Sequence, residues 1–439
     1  MPGICFLSIT EKRSSVYFFL FILCMVLYLP SSFQRGLFAP DETRILEVTD
    51  SINSLDTAIL PRYKGERYDA KPPFFFYILK AFLKIPLPPL FLVILLNSLF
   101  SWGTALFLYE FFKKEKTSTL GFFSAVFLIS SAMFYGMAVT LRMDTLFLFF
   151  IMASICFFWW GVEERKDLYL LFAGILTFLA VFTKGALGIV FPLLVQIGIF
   201  IFSQEKGATL RGIFIVAFFS TALIFLWMWL YTLVDEDYYK RMIFRQTIER
   251  AFSAQHRSHT EGVLYYVPFL FLFFSPWTFL SIGYLVTFKK FVKTSWEKIF
   301  ILWFFGGFII LSLIRVKLPI YLLLLSPPLA SLTAKFFLEG DEYFKKIAFY
   351  ITVIFFLVFI SAAYLYCRVQ HYFVPPYIVY IILLFILCLI LAYKKVSYIK
   401  FVYFFIVWFV LIECLNLIYL PLVSKMRVEY KVNRNITIN

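Results

Sequence analysis

The stretch IFIVAFFSTALIFLWMWLYTL, Ile213 to Leu233, carries no charge, no glycine and no proline. A run of this length lets a helix cross roughly 30 Å of hydrocarbon at about 1.5 Å per residue. Comparable apolar windows recur along the chain between short polar breaks. In lipid every backbone polar group has to be satisfied, which leaves helices or a closed barrel, and a barrel would alternate apolar and polar positions in segments of about ten residues. The runs here are continuous, so the fold class expected is an all-α polytopic membrane protein. Composition agrees: the 439 residues are 62% hydrophobic and 15% charged, with 60 Phe, which no soluble domain approaches.

Thirteen spans are expected, at about 16–33, 88–112, 118–136, 145–162, 168–183, 186–203, 211–233, 263–286, 299–314, 319–335, 346–366, 376–393 and 400–420. With a cytoplasmic N-terminus, the inside turns read KKEK (113–116), EERKD, SQEKGATLRG, KKFVKTSWEK, EGDEYFKK and YKKVSYIK, each with two or more Lys or Arg. That satisfies the positive-inside rule and puts the C-terminus outside. The net charge of +15 is thereby read as orientation of the chain, and a nucleic-acid partner is not expected. The run from Val16 to Leu29 resembles a signal-peptide core, preceded by Lys12 and Arg13, but LPSSFQRGL offers no small-residue cleavage site, so it is read as an uncleaved first span. Six cysteines lie mostly within apolar runs, with no CxxC or Cys/His spacing, and are expected to be core or lipid-facing.

Two outside segments are long and polar: 34–87 and 234–262. In the first, DETRILEVTDSINSL sets Ile45, Val48, Ile52 and Leu55 at helical spacing behind Asp and Glu in the first turn. PPFFFYILKAFLKI opens with prolines suited to a helix start. Both read as interfacial helices too short to span, joined by a turn over LPRYKGERYDA. No internal repeat is found, and with a short tail after the last span no sizeable soluble C-terminal domain is expected, so residues 1–439 are read as a single transmembrane domain.

Charges at the ends of spans are costly and therefore mark candidate sites. Arg142 and Asp144 stand at the outer end of the fourth span, Lys184 and Gly185 at that of the fifth, and Arg315, Lys317 and Tyr321 at that of the tenth. Any one of them has a bland reading as a snorkelling or structural charge, and for Arg315 that reading is preferred. Their coincidence on the side of the two long segments, with Asp41, Glu42, Lys71, Arg245 and Arg250, is the functional signal. Such a mixture can bind an anionic lipid phosphate while a carboxylate acts as base or steadies positive charge. His256 and His259 are spaced i, i+3 without a nearby thiol, and His371 is remote, so no histidine metal site is expected; Asp and Glu leave room for a hard divalent cation, but no cofactor is expected to be required. There is no glycine-rich phosphate loop and no nucleophile elbow.

APDETR, YDAKPPFFFY, RMD, TKGALGIVFP, YYVPFLFLFFSPWTFL and VKLPIYLLLLSPPLA, in that order, resemble the ArnT-like branch of the membrane-embedded GT-C glycosyltransferases, related to the protein O-mannosyltransferases. The resemblance covers about residues 15–335 and implies a GT-C fold. It also implies transfer of a sugar from a polyprenyl (undecaprenyl) phosphate carrier to an acceptor at the outer membrane surface. By this resemblance Asp41, with Glu42 adjacent, and Asp144 are candidate catalytic carboxylates. Lys71, with Tyr68 beside it, and Arg250 correspond to donor-phosphate ligands. Lys184 would pair with the carboxylates, and Tyr321 would face the pocket, to which Arg142 and Lys317 are also assigned. Arg245 stands where relatives can carry a metal-binding histidine, which argues against a metal and adds a cation to the phosphate-binding group.

The expected activity is transfer to an envelope glycolipid such as lipid A, on the periplasmic face of a bacterial inner membrane, by a chain expected to act as a monomer. A single displacement would invert the anomeric centre. The alternatives are a protein O-mannosyltransferase-like enzyme, which would carry more soluble structure, and a lipid-linked sugar flippase. A transporter would place its polar residues near the bilayer midplane rather than at one surface.

Overall fold

The computed structural model describes residues 12–38, 40–238, 240–241 and 261–369. The spans expected at 376–393 and 400–420, together with Arg245, Arg250 and all three histidines, lie outside the described residues. Among the described residues seven helices are long and apolar enough to cross a membrane, or up to nine if each of two bent helix pairs counts as one span. The chain is a multi-pass helical membrane protein.

The long helices are α1 (Arg13–Tyr28), α4 (Pro89–Lys114), α7 (Asp144–Glu164), α8 (Asp167–Lys184), α9 (Leu187–Phe202), α10 (Lys206–Thr232), α13 (Ser295–Leu313), α14 (Ser326–Glu339) and α15 (Glu342–Val369). Between them come α2 (Asp41–Asp50), α3 (Phe74–Phe82), α5 (Ser118–Ile129), α6 (Ala132–Ala138), α11 (Tyr266–Phe273) and α12 (Thr278–Thr287). Side-chain pairs identify two ends of the bundle. Arg13 meets Glu110, Lys114 meets Glu164, Arg165 meets Glu205 and Lys335 meets Glu297 at one end, where the short basic turns lie. This is the turn end. The first long polar segment and the start of the second, as far as Arg241, meet at the other, the loop end.

Two expected spans are broken rather than continuous. The helix expected over 118–136 bends by 63° between α5 and α6, and the one expected over 263–286 bends by 117° between α11 and α12. Pro276 explains the second break, because its ring and missing N–H stop a helix from continuing. At the first, the hydroxyls of Ser130 and Ser131 turn back onto the Val126 and Leu128 carbonyls. Irregular backbone at membrane depth survives only where protein satisfies it. The two breaks serve each other: Ala132 N–H donates to Ser275 O at 2.8 Å, and the Trp277 indole donates to Ser130 Oγ at 3.0 Å. Tyr28 donates to the Ile129 carbonyl at 2.6 Å. The tenth expected span also departs from a plain helix, running as a 3-10 helix over Pro319–Leu325 before α14 begins at Ser326 with its paired prolines in the first turn.

In the first outer segment, α2 and α3 form as expected from their spacing and pack on each other, but α2 stops at Asp50. Ser51 bonds back to the Val48 carbonyl, and Ser54 starts a new short helix, Leu55–Ile59, through a capping box with Thr57. Ile45 and Val48 are buried as the α2 pattern requires, whereas Leu55, expected on the same face, is exposed. The connecting turn is a hairpin of β1 (Arg62–Tyr63) and β2 (Glu66–Arg67), with Arg62 opposite Arg67. Its loop residues Lys64 and Gly65 both take positive φ, 52° and 82°, the geometry that suits a two-residue hairpin to strand twist.

Candidate active site

Three carboxylates of the loop end sit at helix N-termini. Asp41 and Glu42 occupy the first turn of α2, and Asp144 opens α7. Backbone N–H groups that lack partners in a first turn favour negative charge there. Lys184 is the last residue of α8, where the dipole favours a cation.

The neighbours Asp41 and Glu42 have different surroundings. Glu42 is buried and held by a two-pronged pair with Arg35, Nη1 to Oε2 and Nη2 to Oε1 both at 2.8 Å. It also accepts from the backbone N–H of Phe38 at 2.6 Å and of Leu141 at 2.7 Å. Arg35 in turn donates to the Val139 carbonyl at 2.7 Å and lies over the Phe38 ring. Both carboxylate oxygens of Glu42 are thus committed to fastening the first outer segment to the turn 139–141. Asp41 is half-exposed and pairs with Arg44 at 2.8 Å and with Arg142 at 3.0 Å.

Arg142 lies in the tight connection between α6 and α7, and Asp144 directly follows that connection. Asn97, buried on α4, shapes this turn: its amide donates to the Ala138 and Thr140 carbonyls at 3.2 and 2.7 Å, and its Oδ1 accepts from Thr145 at 2.9 Å. Asp144 pairs with Lys184, and both side chains are more than nine-tenths buried. The Lys184 ammonium lies 5.5 Å from the ring centroids of both Phe147 and Tyr321. Aromatic faces around an ammonium offset part of its desolvation. Asp41 with Arg142, and Asp144 with Lys184 and Tyr321, are therefore two adjoining ionic groups linked through residues 142–144.

The TKGALG motif has a local physical reading. Gly185 takes φ 99°, which favours glycine, and lets the chain turn directly after Lys184. A Cβ on Gly188 would lie 2.6 Å from Val181 N and 2.7 Å from the Ala180 carbonyl carbon, so glycine permits the start of α9 to close on the end of α8.

Lys71 is half-buried between the hairpin and α3, and Tyr68 packs its ring against Tyr63 and Phe76. Lys317 is buried in the turn before Pro319 and donates to the Ile314 carbonyl at 2.7 Å; burial pulls its ammonium below the ordinary lysine range, opposed in part by Glu261. Arg315 is exposed. Among the described residues no cluster of three or more His, Cys, Asp or Glu is arranged to hold a metal ion.

Sequence reading passed over Arg35 and Asn97. Each left a signal, an arginine closing SSFQR and an amide inside the apolar run LFLVILLNSLF, but neither signal names a partner.

Comparison with known proteins places this geometry in context. Residues 70–231 match the family described as dolichyl-phosphate-mannose-protein mannosyltransferase. An undecaprenyl phosphate-α-4-amino-4-deoxy-L-arabinose arabinosyl transferase of Proteus mirabilis is 26% identical over 352 residues, covering 77% of this chain and 62% of the relative. The corresponding transferase of Photorhabdus laumondii is 26% identical over 326 residues, covering 73% and 59%. The chain thus spans about three fifths of the length of these relatives. In three dimensions it resembles the crystal structure of ArnT from Cupriavidus metallidurans bound to undecaprenyl phosphate, with a TM-score of 0.73 at 16% identity, covering 94% of this chain and 77% of the other. The chain is thus similar in fold to ArnT, and over residues 70–231 it is similar in sequence to the dolichyl-phosphate-mannose-protein mannosyltransferases.

Proposed function

We propose that the chain transfers a sugar from a polyprenyl phosphate, undecaprenyl phosphate in particular, to an envelope glycolipid such as lipid A, at the periplasmic face of the bacterial inner membrane. One observation carries the reading: two carboxylates at helix N-termini, Asp41 and Asp144, are gathered with Arg142, Lys184 and Tyr321 at the end of the bundle that holds the long polar segments. The names of the Proteus and Photorhabdus relatives, and the undecaprenyl phosphate bound to the Cupriavidus protein, support the carrier class.

In the proposed reaction the acceptor oxygen attacks the anomeric carbon, the bond from that carbon to the carrier phosphate oxygen breaks, and the polyprenyl phosphate leaves with both bonding electrons. Charge grows on the phosphate as it changes from diester to monoester, and Lys71 with Arg245 and Arg250 would stabilise it. This requires Lys71 to approach the Asp41 end of α2, a convergence that belongs to the proposal. If the acceptor is a hydroxyl, Asp41 takes its proton; its half-exposed carboxylate is reachable, whereas Glu42 is consumed by Arg35. If the acceptor is a phosphate, no base is needed and Asp41 orients it through Arg142. Asp144 and Lys184 form the wall of the site, with Tyr321 and Lys317 toward the pocket and Tyr68 supporting Lys71. One displacement inverts the anomeric centre.

The test is transfer by the purified protein in lipid, given undecaprenyl-phosphate-linked sugars and lipid A. Asp41→Asn and Lys71→Ala should each lower the rate by about a hundredfold or more, the usual range for a general base or a transition-state cation, with the protein still folded. Full activity in both variants would sink the site assignment. Transfer to a peptide instead of lipid A would favour the mannosyltransferase-like alternative, for which the match over residues 70–231 speaks.

A further inference from the structure

The turn that presents Arg142 and Asp144 is held largely by side chains from other elements. Ala138, Val139 and Leu141 are buried, and a buried peptide group without a partner is costly. Successive groups of this turn are met from different directions. The Ala138 and Thr140 carbonyls accept from the Asn97 amide of α4. The Val139 carbonyl accepts from Arg35, and the Leu141 N–H donates to Glu42 of α2. Thr145, buried in the first turn of α7, donates to Asn97 Oδ1 at 2.9 Å.

These bonds stand next to the ionic groups in sequence. Glu42 follows Asp41 and Leu141 precedes Arg142, so the Glu42 to Leu141 bond accompanies the pair of Asp41 with Arg142. Thr145 follows Asp144, so its bond to Asn97 fixes the residue beside the carboxylate that meets Lys184. Both ionic groups are therefore tied to one turn. That turn is tied in its own right to α4 through Asn97 and to the first outer segment through Arg35 and Glu42.

Adhesion here does not need polar side chains. Val139, Leu141 and Met143 belong to the main apolar core, and apolar attraction has no direction. An amide with donors and an acceptor, and a guanidinium forked onto a carboxylate, add orientation. Arg35, Glu42, Asn97 and Thr145 are all more than nine-tenths buried, so water does not compete for these bonds.

We infer that Arg35, Glu42, Asn97 and Thr145 are positioning residues that hold residues 138–145 as one frame and set the separation of Asp41 from Asp144. They act through Asp41, Arg142 and Asp144, and the inference rests on the proposed function for the reaction that this separation serves. A misplacement of about 1 Å between reacting groups costs about a hundredfold in rate. Loss of the frame therefore slows the chemical step and leaves donor binding in place.

The test uses four variants of the full chain in lipid. Thr145→Val keeps the shape without the hydroxyl, and Thr145→Ser keeps the hydroxyl. Asn97→Asp loses the amide donors, and Arg35→Lys keeps the charge without the fork. Thr145→Val should lower kcat about tenfold, and Asn97→Asp and Arg35→Lys about a hundredfold, with KM for the undecaprenyl-phosphate sugar changed less than about twofold. Thr145→Ser should restore most of the rate. Unchanged kcat in Thr145→Val, an equal loss in Thr145→Val and Thr145→Ser, or a rise in KM at constant kcat overturns the inference. Where Asn97→Asp or Arg35→Lys fails to fold, the Thr145 pair decides. If the wild type transfers no sugar, the proposed function fails, and the frame is judged by geometry alone. Asp41→Cys combined with Arg142→Cys is then bridged by a short bifunctional thiol reagent, with and without Thr145→Val. A cross-linking yield lowered about threefold or more by Thr145→Val supports the frame, and an equal yield overturns it.

Discussion

The two ends of the bundle are both rich in ion pairs, but they handle charge in opposite ways. At the turn end, Arg165 with Glu205 and Arg211 with Asp167 are more than half exposed and tie successive turns together in water. At the loop end, Arg35 with Glu42 and Lys184 with Asp144 are almost wholly buried. Exposed pairs are screened and contribute little, whereas a buried pair costs desolvation and is tolerated only where its geometry is satisfied. Glu297 is the exception at the turn end, a buried carboxylate that caps the start of α13 through the Lys293 and Thr294 N–H groups and meets Lys335. The lesson is that the turn end uses charge to orient and join helices, and the loop end uses it to build fixed geometry.

The sharpest way to break this comparison is to remove one buried partner. Asp144→Ala leaves the Lys184 ammonium buried without its carboxylate and should cost about 3–5 kcal/mol of stability, read as a lowered unfolding midpoint in detergent. A midpoint equal to wild type would mean the pair is not buried as described. Next in size is the close approach behind that pair. Gly188→Val drives side-chain atoms into the α8 backbone at Ala180 and Val181, and should destabilise by about 1–3 kcal/mol, the range for overpacking, with transfer activity falling alongside. A smaller effect comes from acid. Asp235, which pairs with Arg67 of β2, has its folded-state pKa below the ordinary carboxylate value, so its contribution is present above the unfolded pKa of about 4 and is lost as pH falls through the folded value. Hydrogen exchange of residues 62–69 should therefore stay constant from neutral pH down to about 4 and rise only below it, after correction for intrinsic exchange rates. At the bottom of the scale, Arg165→Ala should leave the unfolding midpoint unchanged within error; a drop as large as that of Asp144→Ala would erase the distinction between the ends.

Much of this fold could be read from apolar periodicity alone, because a span is a local property of twenty or so consecutive residues. The ranges expected for α4, α7, α8 and α9 agree with the structure to within a few residues. The α2 and α3 helices were legible for the same reason, since Asp41 and Glu42 mark one start and the prolines the other. What periodicity missed were interruptions whose partners lie elsewhere. The break after α5 is stabilised by Tyr28 from α1 and by Ser275 and Trp277 from the second break, and no window around Ser130 contains that information. The hairpin at Lys64–Gly65 was read only as a turn, because strands of two residues are too short to show an alternating pattern.

The sequence by itself determined that the chain is a multi-pass helical membrane protein, with most of its long helices where the apolar runs mark them. That conclusion follows from hydrocarbon thickness and from helix length. Only the tertiary structure decided which of two adjacent carboxylates is available. Asp41 and Glu42 are neighbours in the same first turn, but helical rotation sends Glu42 inward to Arg35 and the Leu141 N–H, and leaves Asp41 at Arg142. It likewise decided that Asp144 meets Lys184 and that Asp69 meets Arg241. The physical reason is that ion pairing needs approach within about 4 Å, and such approach between distant residues is set by how helices and loops pack, not by any pattern along the chain.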